Sequence, residues 1–92
     1  MCMKRAHIIV SGRVQGVYFR DHTKKQAKKL NLKGFVRNLP TGDVEIIVEG
    51  KEDQIKELLK YCKIGPDAAD VTNAIVEYEP VTNEFSTFEI KY

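Results

Sequence analysis

Apolar positions along this chain switch between a period of two and a period near 3.6, and each switch marks an element. Ala6 to Val10 is apolar, β-branched and closed by Ser11-Gly12. It predicts a strand with Ile8 and Val10 on one face and His7 and Ile9 on the other. Beyond it the period lengthens: Phe19, Thr23, Ala27 and Leu30 recur at helical spacing, with Lys24, Lys25, Lys28 and Lys29 turned away. Asn31 to Gly34 supplies the stop, because Asn and Gly accept the left-handed conformation that ends helices. Phe35 to Leu39 and Val44 to Val48 are strands, and Pro40-Thr41-Gly42-Asp43 between them predicts a hairpin. Gly50 closes the second of these. A second helix follows, with Ile55, Leu58, Leu59 and Cys62 forming one buried stripe and Glu52 and Asp53 complementing its dipole. Gly65-Pro66 terminates it. Val71 to Glu79 and Phe85 to Tyr92 read as the last strands, with Pro80 and Asn83 at the turn between them.

The order β-α-β-β-α-β, plus a terminal strand, predicts an α+β protein of the ferredoxin-like type: an antiparallel sheet with two helices on one face. With 92 residues the chain is expected to form one domain over 1–92, with 1–4 as a frayed terminus. Hydrophobic content of 42% and charged content of 30% describe an ordinary globular protein. A net charge of +2 is too small to argue for nucleic acid. No apolar run is long enough to span a membrane or serve as a signal peptide, so a cytoplasmic location is expected. The two cysteines do not change this picture. Cys2 lies in the expected frayed end and Cys62 on the buried stripe of the second helix, with no C-x-x-C pair or histidine cluster for a metal.

The candidate chemistry lies in S-G-R-V-Q-G-V-Y-F-R, Ser11 to Arg20, between the first strand and the first helix. Gly12 and Gly16 can take positive φ and turn backbone N–H groups toward a common point. Amides leading into a helix N-terminus form an anion site, since the first N–H groups of a helix have no internal partner. Arg20 adds a planar charged fork that suits two phosphate oxygens. Neither the nucleotide P-loop spacing nor the dinucleotide G-x-G-x-x-G is present. A second reading fits the same residues: a plain strand–helix connection whose glycines serve only the turn, with Arg20 pairing a surface carboxylate.

G-R-V-Q-G-V-Y-F-R resembles the signature loop of the acylphosphatase family, and G-F-V-R-N-L-P-T-G-D-V-E, Gly34 to Glu45, resembles that family's second signature. Gly65-Pro66-Asp67-Ala68-Ala69 resembles its third short block, with Asp67 and Asp70 as looser matches. The resemblance covers nearly the whole chain, leaving out M-C-M-K. It implies a small cytosolic hydrolase that cleaves acyl phosphates to a carboxylate and inorganic phosphate. No carboxylate cluster suited to Mg²⁺ lies near the loop, so a reaction without metal or cofactor is expected, and nothing in the sequence points away from a monomer. Carried over by position, Arg20 binds the phosphate and Asn38 orients the attacking water. The backbone amides of Gln15, Gly16, Val17, Tyr18 and Phe19 would form the phosphate cradle.

The reaction suits these residues. A carboxylate leaving group, whose conjugate acid has a pKa of about 4–5, needs no general acid. Phosphoryl transfer leans on charge stabilisation and positioning, which amides, Arg20 and Asn38 can supply. The water's proton has two routes, the substrate phosphate or bulk solvent, and the sequence does not choose between them. His22 and His7 read better as a solvated helix residue and a strand residue than as bases. Lys24, Lys25, Lys28, Lys29 and Lys33 read as a solvated face. Arg37 points to the sheet face opposite Asn38, and Arg13 reads as solvated. The expected partners are a small acyl phosphate and inorganic phosphate, without nucleic acid or membrane. An RNA-binding module of the same topology would need stacking aromatics on the central strands, which read A-H-I-I-V and V-E-I-I-V. A non-catalytic anion sensor would have no use for Asn38, and a copper carrier would need paired cysteines.

Overall fold

A computed structural model describes residues 3–92. Its elements run β1 (Met3–Arg13), α1 (Phe19–Lys29), β2 (Lys33–Asn38), β3 (Val44–Lys51), α2 (Glu52–Ile64), β4 (Asp70–Glu79) and β5 (Phe88–Lys91). The five strands form one sheet in the order β4-β1-β3-β2-β5. β1 pairs antiparallel with both β3 and β4, and β2 pairs antiparallel with β3.

Period two in the strands sorts side chains onto two faces. Ala6, Ile8 and Val10 of β1, Val36 of β2, and Val44, Ile46 and Val48 of β3 all point to one face and are fully buried there. Both helices cover that face. Phe19 and Ala27 of α1 and Ile55, Leu58 and Cys62 of α2 join these strand residues in a single core. Burying such side chains stabilises by about 1.5–3 kcal/mol each, which is why the amphipathic stripes settle the packing. The α1 stop works as expected. Asn31 takes φ 57, and the Leu32 N–H closes back on the Ala27 carbonyl at 2.9 Å.

Four expectations need correction. The sheet is mixed rather than antiparallel, because β5 lies parallel to β2. β4 ends at Glu79 opposite Arg5, at the end of the sheet where β1 and β2 begin. A chain that turns back there and takes the edge beside β2 must run in the same direction as β2. β5 is also shorter than expected, since Phe85 lies in the crossing segment and packs edge-to-face on Phe35, ring centres 5.9 Å apart. Of the residues expected to fray, Met3 and Lys4 belong to β1 and pair with Lys51 and Gly50; the expectation for Met1 and Cys2 falls outside the described residues. Gly50 accordingly lies inside β3 rather than ending it, where a Cβ would collide with the Leu32 side chain. Among the described residues no helix is long and apolar enough to cross a membrane.

Candidate active site

The connection from β1 to α1 is pegged into the core at intervals. Val14 and Val17 are buried, and Phe19, the first residue of α1, is buried with them. Between these pegs the backbone turns outward: Gly16 has φ 74 with open space where a Cβ would stand, and Tyr18 has φ 63. A left-handed tyrosine costs roughly 1–2 kcal/mol, and at 75% exposure Tyr18 recovers little of that by burial. No side chain caps α1. Among the described residues, the N–H groups of Gln15, Gly16, Val17, Tyr18 and Phe19 donate to no backbone carbonyl of a turn or loop. Unpaired amides at the positive end of a helix dipole favour an anion.

Gly12 and Gly16 do different work, although their spacing suggested a pair. Gly12 lies inside β1 at the register shift against β4, with φ 116, and a Cβ there would fall on the Asp70 carbonyl. It serves strand pairing. Gly16 alone belongs to the loop.

Arg20 stands in the first turn of α1, half-buried, with its guanidinium carbon 4.9 Å from the centre of the Tyr92 ring. It walls a cavity of about 340 Å³ together with Gly16, Tyr18, Asp21, Ile90 and Tyr92. The loop and Arg20 were expected here; Asp21, Ile90 and Tyr92 were not. The alternation of Phe88, Ile90 and Tyr92 was visible, but the sheet neighbour of that strand was not.

Asn38 is not among the walls of this cavity. It ends β2, opposite Val44, which in turn pairs with Val10 of β1, so β2 and β1 deliver their ends to the same edge of the sheet. Its Oδ1 is buried, with no hydrogen-bond donor among the described residues. One side chain bridges the two regions. Gln15 Nε2 donates to the Leu39 carbonyl at 2.8 Å and to the Asp43 carbonyl at 2.9 Å, joining the loop to the β2–β3 turn. Sequence reasoning missed this bridge, because nothing local distinguishes a loop glutamine that reaches another turn from one facing solvent.

The remaining candidates lie elsewhere. His22 is exposed and faces a second hollow with Tyr18, Tyr61 and Pro66. His7 sits on the open sheet face, with Nε2 2.8 Å from Glu45. Arg37 also faces that side and donates to Glu45 at 2.6 Å. There, burial pushes the Glu45 carboxyl up, but Arg37 and His7 outweigh it and hold it below its ordinary value. Arg13 and Lys25, Lys28, Lys29 and Lys33 are exposed, and Lys24 is half-buried. Cys62 is fully buried, and burial pushes its thiol up to about 12, which leaves it unreactive. Among the described residues no three His, Cys, Asp or Glu side chains gather as metal ligands.

Fold and loop together define an α+β protein of the ferredoxin-like type, whose first strand–helix connection walls a cavity with Gly16, Tyr18, Phe19 and Arg20. Comparison with known proteins agrees. The family model named Acylphosphatase matches residues 6–90. The acylphosphatase of Pelotomaculum thermopropionicum is 46% identical over 92 residues, spanning all of both chains. The crystal structure of the Bacillus subtilis acylphosphatase superimposes with a TM-score of 0.93 at 35% identity, covering 99% of this chain and 100% of that one. An acylphosphatase from Coxiella burnetii superimposes at 0.90 with 39% identity, covering 97% and 93%. The chain belongs to the acylphosphatase family, hydrolases of small acyl phosphates.

Proposed function

We propose that acyl phosphate hydrolysis runs at the β1–α1 loop without a metal ion, with Arg20 and Asn38 in distinct roles. The substrate's phosphate rests on the amides of Gln15, Gly16, Val17, Tyr18 and Phe19, with the Arg20 guanidinium forking two of its oxygens. Asn38 orients a water: Oδ1 accepts from it and Nδ2 donates to a phosphate oxygen. The water oxygen attacks phosphorus, the bond from phosphorus to the acyl oxygen breaks, and the carboxylate departs with the electron pair while the water's proton passes to a phosphate oxygen or to bulk solvent. Charge growing on the phosphoryl oxygens meets donors already in place.

The observation that carries this reading is the pair of bonds from Gln15 in the loop to the Leu39 and Asp43 carbonyls, which brings the turn that follows Asn38 against the β1–α1 connection. The same reading has the protein acting as a monomer in the cytoplasm. Sedimentation at working concentration checks the monomer.

The test is hydrolysis of benzoyl phosphate in EDTA. The parent should turn over fully there. Asn38→Ala should lose on the order of 10²–10³ in kcat while inorganic phosphate still inhibits competitively. An Asn38→Ala variant that lost phosphate inhibition but kept turnover would reverse the assigned roles, and loss of parent activity in EDTA would end the metal-free reading.

A further inference from the structure

We infer that the Gln15 side chain is a positioning residue, which holds the β2–β3 turn, and with it Asn38, in register with the phosphate loop. The inference rests on the reading of Asn38 as the group that orients water. An amide side chain has two N–H donors. Gln15 commits both to one target, the carbonyls of Leu39 and Asp43, at 2.8 and 2.9 Å. Leu39 directly follows Asn38.

The turn does not need Gln15 in order to close. The Leu39 N–H already reaches the Asp43 carbonyl at 2.8 Å, and the Gly42 N–H reaches the Leu39 carbonyl at 3.1 Å. The glutamine bonds are therefore additional to a self-sufficient turn, and what they add is attachment to another segment. Both bonds are partly buried, which shields them from competing water. Attachment matters here because the site is assembled from two elements. Arg20 and the amides ride on the β1–α1 connection, whereas Asn38 rides on β2. Gly16, exposed and without a side chain, gives the connection a point about which it can pivot. Gln15 stands immediately before that pivot and ties it down. Misplacing a reacting group by ~1 Å can cost about 10²-fold in rate, so a tie of this kind acts on turnover.

The experiment compares Gln15→Glu, Gln15→Asn and Gln15→Ala with the parent on benzoyl phosphate, reading kcat, KM and inhibition by inorganic phosphate. All three variants keep the residue 15 backbone amide. Glu has the same shape but sets oxygen against the two carbonyls, and Asn keeps the amide one methylene short. Gln15→Glu and Gln15→Ala should lose about 10- to 100-fold in kcat with KM and phosphate inhibition unchanged, and Gln15→Asn should fall between them and the parent. In the Asn38→Ala background, Gln15→Ala should remove nothing further. The inference is overturned by parent-like kcat in Gln15→Glu and Gln15→Ala, by loss of phosphate inhibition in place of turnover, or by an equal loss with and without Asn38. Failure of the underlying reading looks different: Asn38→Ala would itself keep the parent's kcat.

Discussion

Two arginines in this protein stand beside the amides of a connecting segment, and the two regions put that arrangement to opposite uses. In the segment that crosses from β4 to β5, the Thr82 and Asn83 N–H groups donate to the Glu49 carboxylate at 2.9 and 3.1 Å. Arg5 completes the grip at 3.1 Å and lies over the Phe85 ring at 5.3 Å. In the segment from β1 to α1, the amides of Gln15 to Phe19 donate to no backbone carbonyl of a turn or loop among the described residues, and Arg20 lies over Tyr92 at 4.9 Å. No ion pair joins Arg20 to a carboxylate among the described residues. Amides, an arginine and an aromatic ring recur in both. Where the chain fills the arrangement with its own carboxylate, the result is a clasp for the sheet edge. Where it does not, the amides and the arginine are left to the anion site proposed above.

The contrast makes the rate the most sensitive probe at one arginine and stability the most sensitive probe near the other. Arg20→Ala should lose on the order of 10³ or more in kcat/KM, as for an arginine that meets transition-state charge, with an unchanged thermal midpoint. Steady-state kinetics beside a melting curve checks both. A large drop in midpoint would mean that Arg20 also serves as a clasp.

Glu49→Gln should do the reverse, lowering unfolding free energy by about 1–3 kcal/mol in urea titration while leaving kcat alone. The pH dependence sharpens this. Burial pushes the Glu49 carboxyl up, but the Thr82 amide, Arg5, the Thr82 hydroxyl and the Asn83 amide outweigh it and hold it below its ordinary value of 4.5. A carboxyl depressed in the folded state stabilises fully above its unfolded pKa and loses that contribution as pH falls through the folded value. The parent should therefore weaken as pH drops below about 4.5, and Glu49→Gln should show a shallower fall. The part that remains belongs to Glu45, which Arg37 and His7 hold down in the same direction. Equal acid slopes in the two proteins would remove Glu49 from the account.

The smallest effect is expected at Tyr18. Asn tolerates the left-handed region better than Tyr does, and little buried surface is at stake. Tyr18→Asn should raise stability by about 0.5–1 kcal/mol in the same titration. No gain would show that Tyr18 is held there by contacts worth as much as the strain.

Much of the fold could be read from local pattern. The helical stripe through Phe19, Thr23 and Ala27, the stop at Asn31, the hairpin turn at Gly42 and the stripe through Ile55, Leu58 and Cys62 all stand where period and stop residues placed them. These features depend on neighbours within a few positions, and a side chain's preference acts at that range. Arg20 was legible for the same reason: a loop rich in glycine, an arginine and a helix start are adjacent in the chain.

What escaped the pattern was pairing between distant residues. Gly12 and Gly16 look alike in sequence, and they separate only because β4 runs within contact of one of them. Gln15 meets carbonyls at 39 and 43, and Arg5 meets carboxylates at 49, 79 and 84. The parallel seat of β5 beside β2 is of the same kind, because strand preference is nearly blind to which strand lies next door. Local chemistry thus specified the elements and the glycine-bearing loop that ends in Arg20. Bringing Asn38 to that loop's edge of the sheet, and tying its turn there, required packing that only the folded chain supplies.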